Sequence, residues 1–221
     1  MTTHAAPRIG VCDYGVGNLR SVERALAHGG GNAVLSADAR ELAGCDGLVL
    51  PGVGAFVVAA RALRSRGLDA AIAAVAGSGR PILGVCLGFQ LLFSDSDEGD
   101  GESGLGLIPG RVRRLRPARG KVPHMGWNRL RVTRPSSLLT GVDDGSYAYF
   151  VHSYAAIPDD EGCVVAVTDH GGEIVAAVQA GNITGTQFHP EKSAAAGLRV
   201  YANFVAACTN FVSRCTAAVR A

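Results

Sequence analysis

The sequence predicts an α/β fold: an open, mostly parallel central sheet flanked by helices, with additional antiparallel strands in the second half. Two observations lead there. Between residues 8 and 93 short, continuously apolar runs alternate with amphipathic stretches, and strands that are apolar throughout belong in a parallel sheet covered on both faces. Beyond residue 110 the apolar runs follow one another across short turns with no helical period between them, as antiparallel or mixed strands do.

RIGVCD (8–13) is the first strand. A glycine turn leads to NLRSVERALAHGG, in which Leu19, Val22, Ala25 and Leu26 share one helical face and Gly29 to Gly31 end the element. NAVLS (32–36) and DGLVLP (46–51) are the next strands, and the Gly-rich turn after them opens one long Ala-rich helix. PILGVC (81–86) runs directly into the helix LGFQLLF. SDSDEGDGESG (94–104), polar and acidic, is expected as a surface loop. The runs RVRRLR, WNRLRVT, YAYFVHSYAA, CVVAVTD, EIVAAVQ and ITGTQF are strands, two of them joined into a hairpin by DHGGE at 169–173. From Ser193 a closing helix carries Leu198, Tyr201, Val205, Cys208 and Val212 near one stripe.

With 221 residues, 48% hydrophobic and 18% charged, the chain is of globular composition, which excludes disorder and collagen. We expect a single domain over residues 1–221, with 1–7 a flexible N-terminal extension. A net charge of +2 supplies no broad field for steering onto nucleic acid or a membrane surface. The basic residues are all Arg except Lys121 and Lys192. Six cysteines form no C-x-x-C pair and the start MTTHAAPRIG has neither a basic nor an apolar leader region, so reduced thiols and a cytoplasmic protein are expected. The stretch GLVLPGVGAFVVAA (47–60) is too short to span a membrane and is broken by Pro51 and glycines.

Cys86 stands apart from the other cysteines. It sits in Gly84-Val85-Cys86-Leu87-Gly88, where a strand meets a helix, the pattern of a nucleophile elbow with sulfur in place of oxygen. Glycines two residues to either side remove side chains that would collide with such a sharp turn. The turn sets the thiol over a helix N-terminus, whose partial positive charge favours thiolate, and aims the Leu87 N–H at a developing oxyanion. Read alone, the pattern also fits a buried core cysteine whose glycines permit close helix–sheet packing. A second tight turn, Pro51-Gly52-Val53-Gly54, closes a neighbouring strand; an N–H of Val53 or Gly54 would complete an oxyanion hole with Leu87, or the turn is an ordinary one. In Gln187-Phe188-His189-Pro190-Glu191-Lys192, Pro190 biases His189 toward extended backbone, which puts His189 and Glu191 on one side. The imidazole would take the thiol proton and the carboxylate would fix its tautomer; otherwise the two form a surface pair.

Together these residues resemble the class I (triad) glutamine amidotransferases, whose signatures are a Gly-rich oxyanion turn, G-x-C-x-G-x-Q and H-P-E. DYGVGNL (13–19), PGVGAF (51–56), GVCLGFQLL (84–92), PHMGWN (123–128), YFVHSY (149–154) and QFHPEKS (187–193) are similar to the glutaminase subunits of imidazole glycerol phosphate synthase. The likeness covers about residues 8–212 and departs from the family pattern at Phe89, where Met is usual. The resemblance implies a flavodoxin-like fold, and hydrolysis of glutamine to glutamate and ammonia through a thioester on Cys86, with His189 as base then acid and Glu191 orienting it. Gly52, Gly54, Gln90, Ser153 and Tyr154 would bind the substrate. Ammonia would pass to a (β/α)8-barrel cyclase subunit, which forms imidazole glycerol phosphate and an aminoimidazole carboxamide ribonucleotide in histidine biosynthesis and whose ligand stimulates the glutaminase. Asn18, Pro123, Met125, Trp127, Tyr149 and Lys192 would face that partner in a heterodimer.

Other readings compete. Gly15-Val16-Gly17 with Asp38 about 20 residues on suggests a dinucleotide turn, but Arg20 takes the place of the third glycine. An ester hydrolase with a Cys elbow would want an Asp before a lone His. Arg111, Arg113, Arg114, Arg116 and Arg119 lack the aromatic interleaving that stacks on RNA bases and read as a solvated strand face. His28, His124, His152 and His170 have no metal-ligand spacing, so no metal and no cofactor are expected.

Overall fold

The computed structural model of the chain describes residues 6–99 and 101–220. The first half contains β1 (Arg8–Cys12), α1 (Leu19–His28), β2 (Asn32–Ser36), α2 (Ala39–Ala43), β3 (Gly47–Leu50), α3 (Phe56–Ser65), α4 (Leu68–Gly77), β4 (Ile82–Val85) and α5 (Leu87–Leu91). The second half follows with β5 (Asp95–Ser96), β6 (Gly110–Arg114), β7 (His124–Arg129), β8 (Arg131–Val132), β9 (Tyr147–His152), β10 (Tyr154–Pro158), β11 (Val164–Asp169), β12 (Glu173–Ala180), β13 (Ile183–Thr186) and α6 (Ala194–Arg220).

An 8-stranded sheet of order β2-β1-β3-β4-β13-β12-β11-β8 is the spine. It is parallel from β2 to β13 and antiparallel from β13 to β8, as the two halves of the sequence predict. Alternation along each strand feeds two apolar layers. Ile9 and Val11 join Val22 and Leu26 of α1 and Tyr201 and Phe204 of α6 on one face. Cys12, Leu48 and Leu50 join Leu42, Phe56, Leu63 and Ile72 of the other helices on the opposite face. Two side sheets, β10-β6-β5 and β7-β9, complete the fold; β9 and β10 reach the carboxyl ends of β4 and β13, where Tyr149 O accepts from His189 N and Val151 to Tyr154 share a cleft with Cys86. The DHGGE hairpin joins β11 to β12 with Asp169 opposite Glu173.

Several expectations are corrected. The Ala-rich stretch is two helices, because Gly67 turns left-handed (φ 65°) between α3 and α4, which an apolar period does not reveal. An extra helix, α2, is capped by Asp38, whose carboxylate accepts from Arg40 N at 2.7 Å and Glu41 N at 3.1 Å; the acid that suggested a ribose ligand is a helix cap. YAYFVHSYAA breaks at Ser153 into β9 and β10, and WNRLRVT breaks at Leu130 into β7 and β8, with the pieces in different sheets. The acidic stretch at 94–104 is strapped to the body. Glu102 pairs with Arg61 and Arg64, and Asp95 and Asp97 take Arg113 at 2.9 and 3.0 Å. Part of the Arg run is thus neutralised by the protein's own acids.

On α6, Leu198 lies at the surface while Val200, Tyr201, Phe204, Val205 and Cys208 are buried. Tyr201, Val205 and Cys208 thus face inward as expected, but at the head of the stripe Gly197 is the buried residue in place of Leu198 and lies against Pro190: a Cβ there would come 1.8 Å from the Pro190 carbonyl oxygen. Of the expected extension, Pro7 is buried and its carbonyl accepts from Asn32 N at 2.9 Å, so it belongs to the sheet margin; residues 1–5 lie outside the described residues. Among the described residues no helix is long and apolar enough to cross a membrane.

Candidate active site

The parallel strands deliver three loops to one place, at their carboxyl ends. Cys86 follows β4 directly and precedes α5 with φ 52° and ψ −103°, a conformation costly for any residue with a Cβ. It is held by Cys86 N donating to Thr186 O at 2.8 Å and by glycines where no side chain fits. A Cβ at Gly88 would lie 1.8 Å from the Leu50 carbonyl oxygen, and one at Gly84 would lie 2.7 Å from that of Gly88. Leu87 is the first residue of α5, so its N–H has no acceptor within the helix.

After β13 the chain places His189 and Glu191 beside the sulfur. His189 Nδ1 donates to Glu191 Oε1 at 2.8 Å, with 2% and 3% of the two side chains exposed, while His189 Nε2 is buried with no hydrogen-bond partner among the described residues. Burial opposes charge on this imidazole, but the adjacent Cys86 and Glu191 outweigh it and raise its pKa to about 9. The loop is fixed by Ser193, whose hydroxyl donates to His189 O at 2.7 Å and accepts from Tyr149 N at 3.0 Å. From α6, burial and then the Glu191 charge push the Tyr201 phenol well above its ordinary value.

A cleft of about 540 Å³ opens over Cys86 and is lined by Val53, Gly54, Leu87, Gln90, Ser153 and Tyr154, a size suited to a small ligand. Gln90 Nε2 donates to Tyr154 O at 2.8 Å and to Gln187 Oε1 at 3.0 Å, and Gln187 Nε2 points to Cys86 Sγ at 3.8 Å. Gly52 does not line this cleft. It is buried under the turn, where a Cβ would strike the Tyr14 hydroxyl and Leu87, so it serves close packing. The Tyr14 hydroxyl donates to the Pro51 carbonyl and pins the PGVG turn from below.

Sequence reasoning did not single out Glu98 and Arg114 for this site, yet both line the cleft. Glu98 Oε2 also accepts from Phe56 N at 2.8 Å, and the Arg114 guanidinium lies 5.9 Å from the Tyr154 ring centre. A carboxylate and a guanidinium at one mouth match the two charges of a free amino acid. Neither lies in an elbow or triad motif, and only folding of the acidic stretch against β6 brings them here.

Several of the expected partner-facing residues lie together beside the cleft. Met125 and Trp127 are 63% and 53% exposed, Trp127 meets Tyr149 edge to face at 6.0 Å, and Lys192 Nζ lies 5.6 Å over the Tyr149 ring. Pro123 is exposed and lines the cleft. Asn18 is exposed at the head of α1, and its neighbour Gly17 lies against Gly52.

Residues 10–208 match the family Glutamine amidotransferase class-I. The chain is 50% identical over 196 residues to "Imidazole glycerol phosphate synthase subunit HisH" of Moorella thermoacetica, covering 89% of this chain and 93% of that one. It is 49% identical over 212 residues to the subunit of the same name from a Synechococcus species, covering 95% and 96%. Among solved structures, PurLQS from Thermotoga maritima superposes with a TM-score of 0.71 at 22% identity, covering 94% of this chain and 99% of the matched one; that likeness speaks for the fold.

Proposed function

The chain belongs to the class I glutamine amidotransferase family, and from that premise we propose how its residues perform the reaction. It is a glutamine amidotransferase subunit of the imidazole glycerol phosphate synthase kind, working in histidine biosynthesis. Residues 1–221 act as one glutaminase domain. With its six cysteines free, the chain is suited to a reducing compartment, and we place it in the cytoplasm.

His189 takes the Cys86 thiol proton as the sulfur attacks the side-chain carboxamide carbon of glutamine. The carbonyl becomes an oxyanion facing the N–H of Leu87 and an N–H from Val53 or Gly54, and each such donor is worth roughly 3–4 kcal/mol of barrier. As the C–N bond breaks, His189 gives its proton to the leaving nitrogen, releasing ammonia and leaving a thioester on Cys86. His189 then takes a proton from water as the water attacks the thioester, and returns it to the departing sulfur, which frees glutamate and restores the thiol. Glu191 holds the imidazole with Nε2 toward the sulfur throughout. Gln90, Gly54, Ser153 and Tyr154 seat the amino acid head group, helped by Glu98 and Arg114.

Ammonia released into neutral water is protonated and loses its nucleophilicity, so it has to leave under cover. The face of Asn18, Pro123, Met125, Trp127, Tyr149 and Lys192 would dock a (β/α)8-barrel cyclase subunit that consumes ammonia to form imidazole glycerol phosphate and an aminoimidazole carboxamide ribonucleotide, with ligand at the cyclase site stimulating the glutaminase. The observation that carries the reading is the convergence of a strained Cys86 with a buried His189–Glu191 pair. Mixing the chain with the cyclase subunit and following product formation from glutamine tests it. Glutamine-dependent turnover is expected, and absence of both turnover and complex would assign the chain to another branch of the family.

A further inference from the structure

β7 and β9 pair antiparallel with His124 opposite His152, and both imidazoles turn inward, at 3% and 6% exposure. His152 Nδ1 lies 2.8 Å from the Tyr154 carbonyl oxygen. A carbonyl only accepts, so Nδ1 carries the proton and a neutral His152 has a bare Nε2. That nitrogen lies 2.9 Å from His124 Nδ1, which must therefore donate. His124 Nε2 is then an acceptor, facing Asn128 Nδ2 at 3.1 Å, and Asn128 Nδ2 also donates to Asp169 O at 2.7 Å. Donation runs one way, from Asn128 through His124 and His152 to Tyr154.

The chain requires both imidazoles to be neutral, since a proton added to His152 Nε2 would set N–H against N–H. The surroundings enforce this. Burial and then the neighbouring His152 and His170 lower His124 to about 3. Burial lowers His152 to about 4, with His170 and His189 adding to the effect against the Tyr154 hydrogen bond. His124 is stacked between Phe150 at 4.6 Å and His170 at 4.2 Å.

The chain ends on an oxygen the cleft already uses: Tyr154 O accepts from Gln90 Nε2 as well. One residue before His152, the Val151 carbonyl faces Cys86 Sγ at 3.9 Å. His152 thus closes the bend at Ser153 that forms the cleft wall opposite the sulfur. We propose that His124 and His152 are positioning residues for the glutaminase reaction, holding the wall from Val151 to Tyr154 so that it seats the substrate head group over Cys86. This rests on the glutaminase reading.

His124→Phe keeps a stacked ring and deletes every hydrogen bond, whereas His124→Asn keeps a donor near the Nδ1 position. Each is compared with wild type, in excess cyclase subunit, for labelling of Cys86 by 6-diazo-5-oxo-L-norleucine, which needs the head-group seat, and by iodoacetamide, which needs only the thiol. The concentration of diazo ketone that half-saturates labelling should rise about tenfold in His124→Phe, as for lost ground-state binding, and stay near wild type in His124→Asn. Iodoacetamide rates should match in all three. An unchanged half-saturation in a folded His124→Phe overturns the proposal. If that variant does not fold, 15N shifts of the wild type decide: both imidazoles neutral with the proton on Nδ1 at pH 6 support it, and a charged or Nε2-protonated ring overturns it. A wild type alkylated by iodoacetamide but not labelled by the diazo ketone would overturn the glutaminase reading itself, and the proposal with it.

Discussion

His189 Nδ1 lies 2.8 Å from Glu191 Oε1 with both side chains almost sealed from solvent. A buried, oriented carboxylate favours one tautomer and stabilises the imidazolium that forms during turnover. Glu191→Gln keeps the volume and removes the charge. Its kcat for glutamate release should fall by ~10³–10⁴, as for the comparable change in other triads, and the His189 pKa should drop below about 9. Steady-state assays and a histidine NMR titration check both effects.

Cys86→Ala should abolish glutamate release while the fold and partner binding persist. The left-handed backbone at Cys86 allows a finer test. Alanine keeps the strained Cβ and glycine does not, so Cys86→Gly should be at least as stable as Cys86→Ala, although glycine elsewhere costs about 0.5–1 kcal/mol. Urea midpoints of the two variants decide; a Gly variant clearly below the Ala variant would argue against strain at the elbow.

Gly88→Ala would drive a methyl to 1.8 Å from the Leu50 carbonyl oxygen. Although alanine is the better helix former by about 1 kcal/mol, the variant should lose 2 kcal/mol or more, about the scale of an overpacked core. Activity should fall as well, because α5 cannot move from β3 without moving Leu87. Thermal unfolding and glutaminase assays report the two losses.

The buried imidazoles give stability a pH dependence with a definite sign. His124 and His152 have folded values of about 3 and about 4, below the ordinary 6.5. Their contribution is complete above pH 6.5 and is lost as pH falls through the window down to about 3, because only the unfolded chain takes up those protons. His189, raised to about 9, acts oppositely: its contribution is complete below pH 6.5 and is lost as pH rises through about 9. Urea midpoints from pH 4 to 10 should therefore peak near neutrality. In Cys86→Ala the alkaline loss should be smaller and should be complete at lower pH, because one of the groups that raise His189 is gone.

Met125, Trp127, Tyr149 and Lys192 belong to the face proposed to dock the cyclase subunit, which pairs exposed apolar area with one cation. Trp127→Ala should weaken cyclase binding by about 2 kcal/mol, roughly thirtyfold, as for an aromatic anchor at the centre of an interface. Iodoacetamide alkylation of Cys86 should not change. Lys192→Arg should lower affinity or stimulation, because a planar guanidinium does not replace the compact ammonium over Tyr149. Titration calorimetry and stimulated glutaminase rates measure these effects.

The parallel-then-antiparallel order of the sheet and the grouping of Cys86, His189 and Glu191 proposed as a triad were legible in the sequence because both rest on local signals. An apolar run of four residues and a G-x-C-x-G elbow state their geometry within one turn of chain, and His189 and Glu191 are brought to one side by Pro190 between them. Where local pattern misled, a distant contact or a single backbone angle was responsible. Gly67 ended a helix the Ala-rich period would have continued, and Gly197 against Pro190 set the buried stripe of α6 so that Leu198 faces outward.

By itself, then, the sequence singled out Cys86, His189 and Glu191 for the proposed roles of nucleophile, base and orienting charge, since such chemistry depends on residue type and short spacing. Only the tertiary structure decided what surrounds them. Gln187 reaches Cys86 across a separation of 101 residues, Glu98 and Arg114 meet at one cleft, and His124 finds His152 across 28 residues. These contacts follow from strand register and layer packing, which depend on the whole chain being folded at once, and no window of sequence contains them.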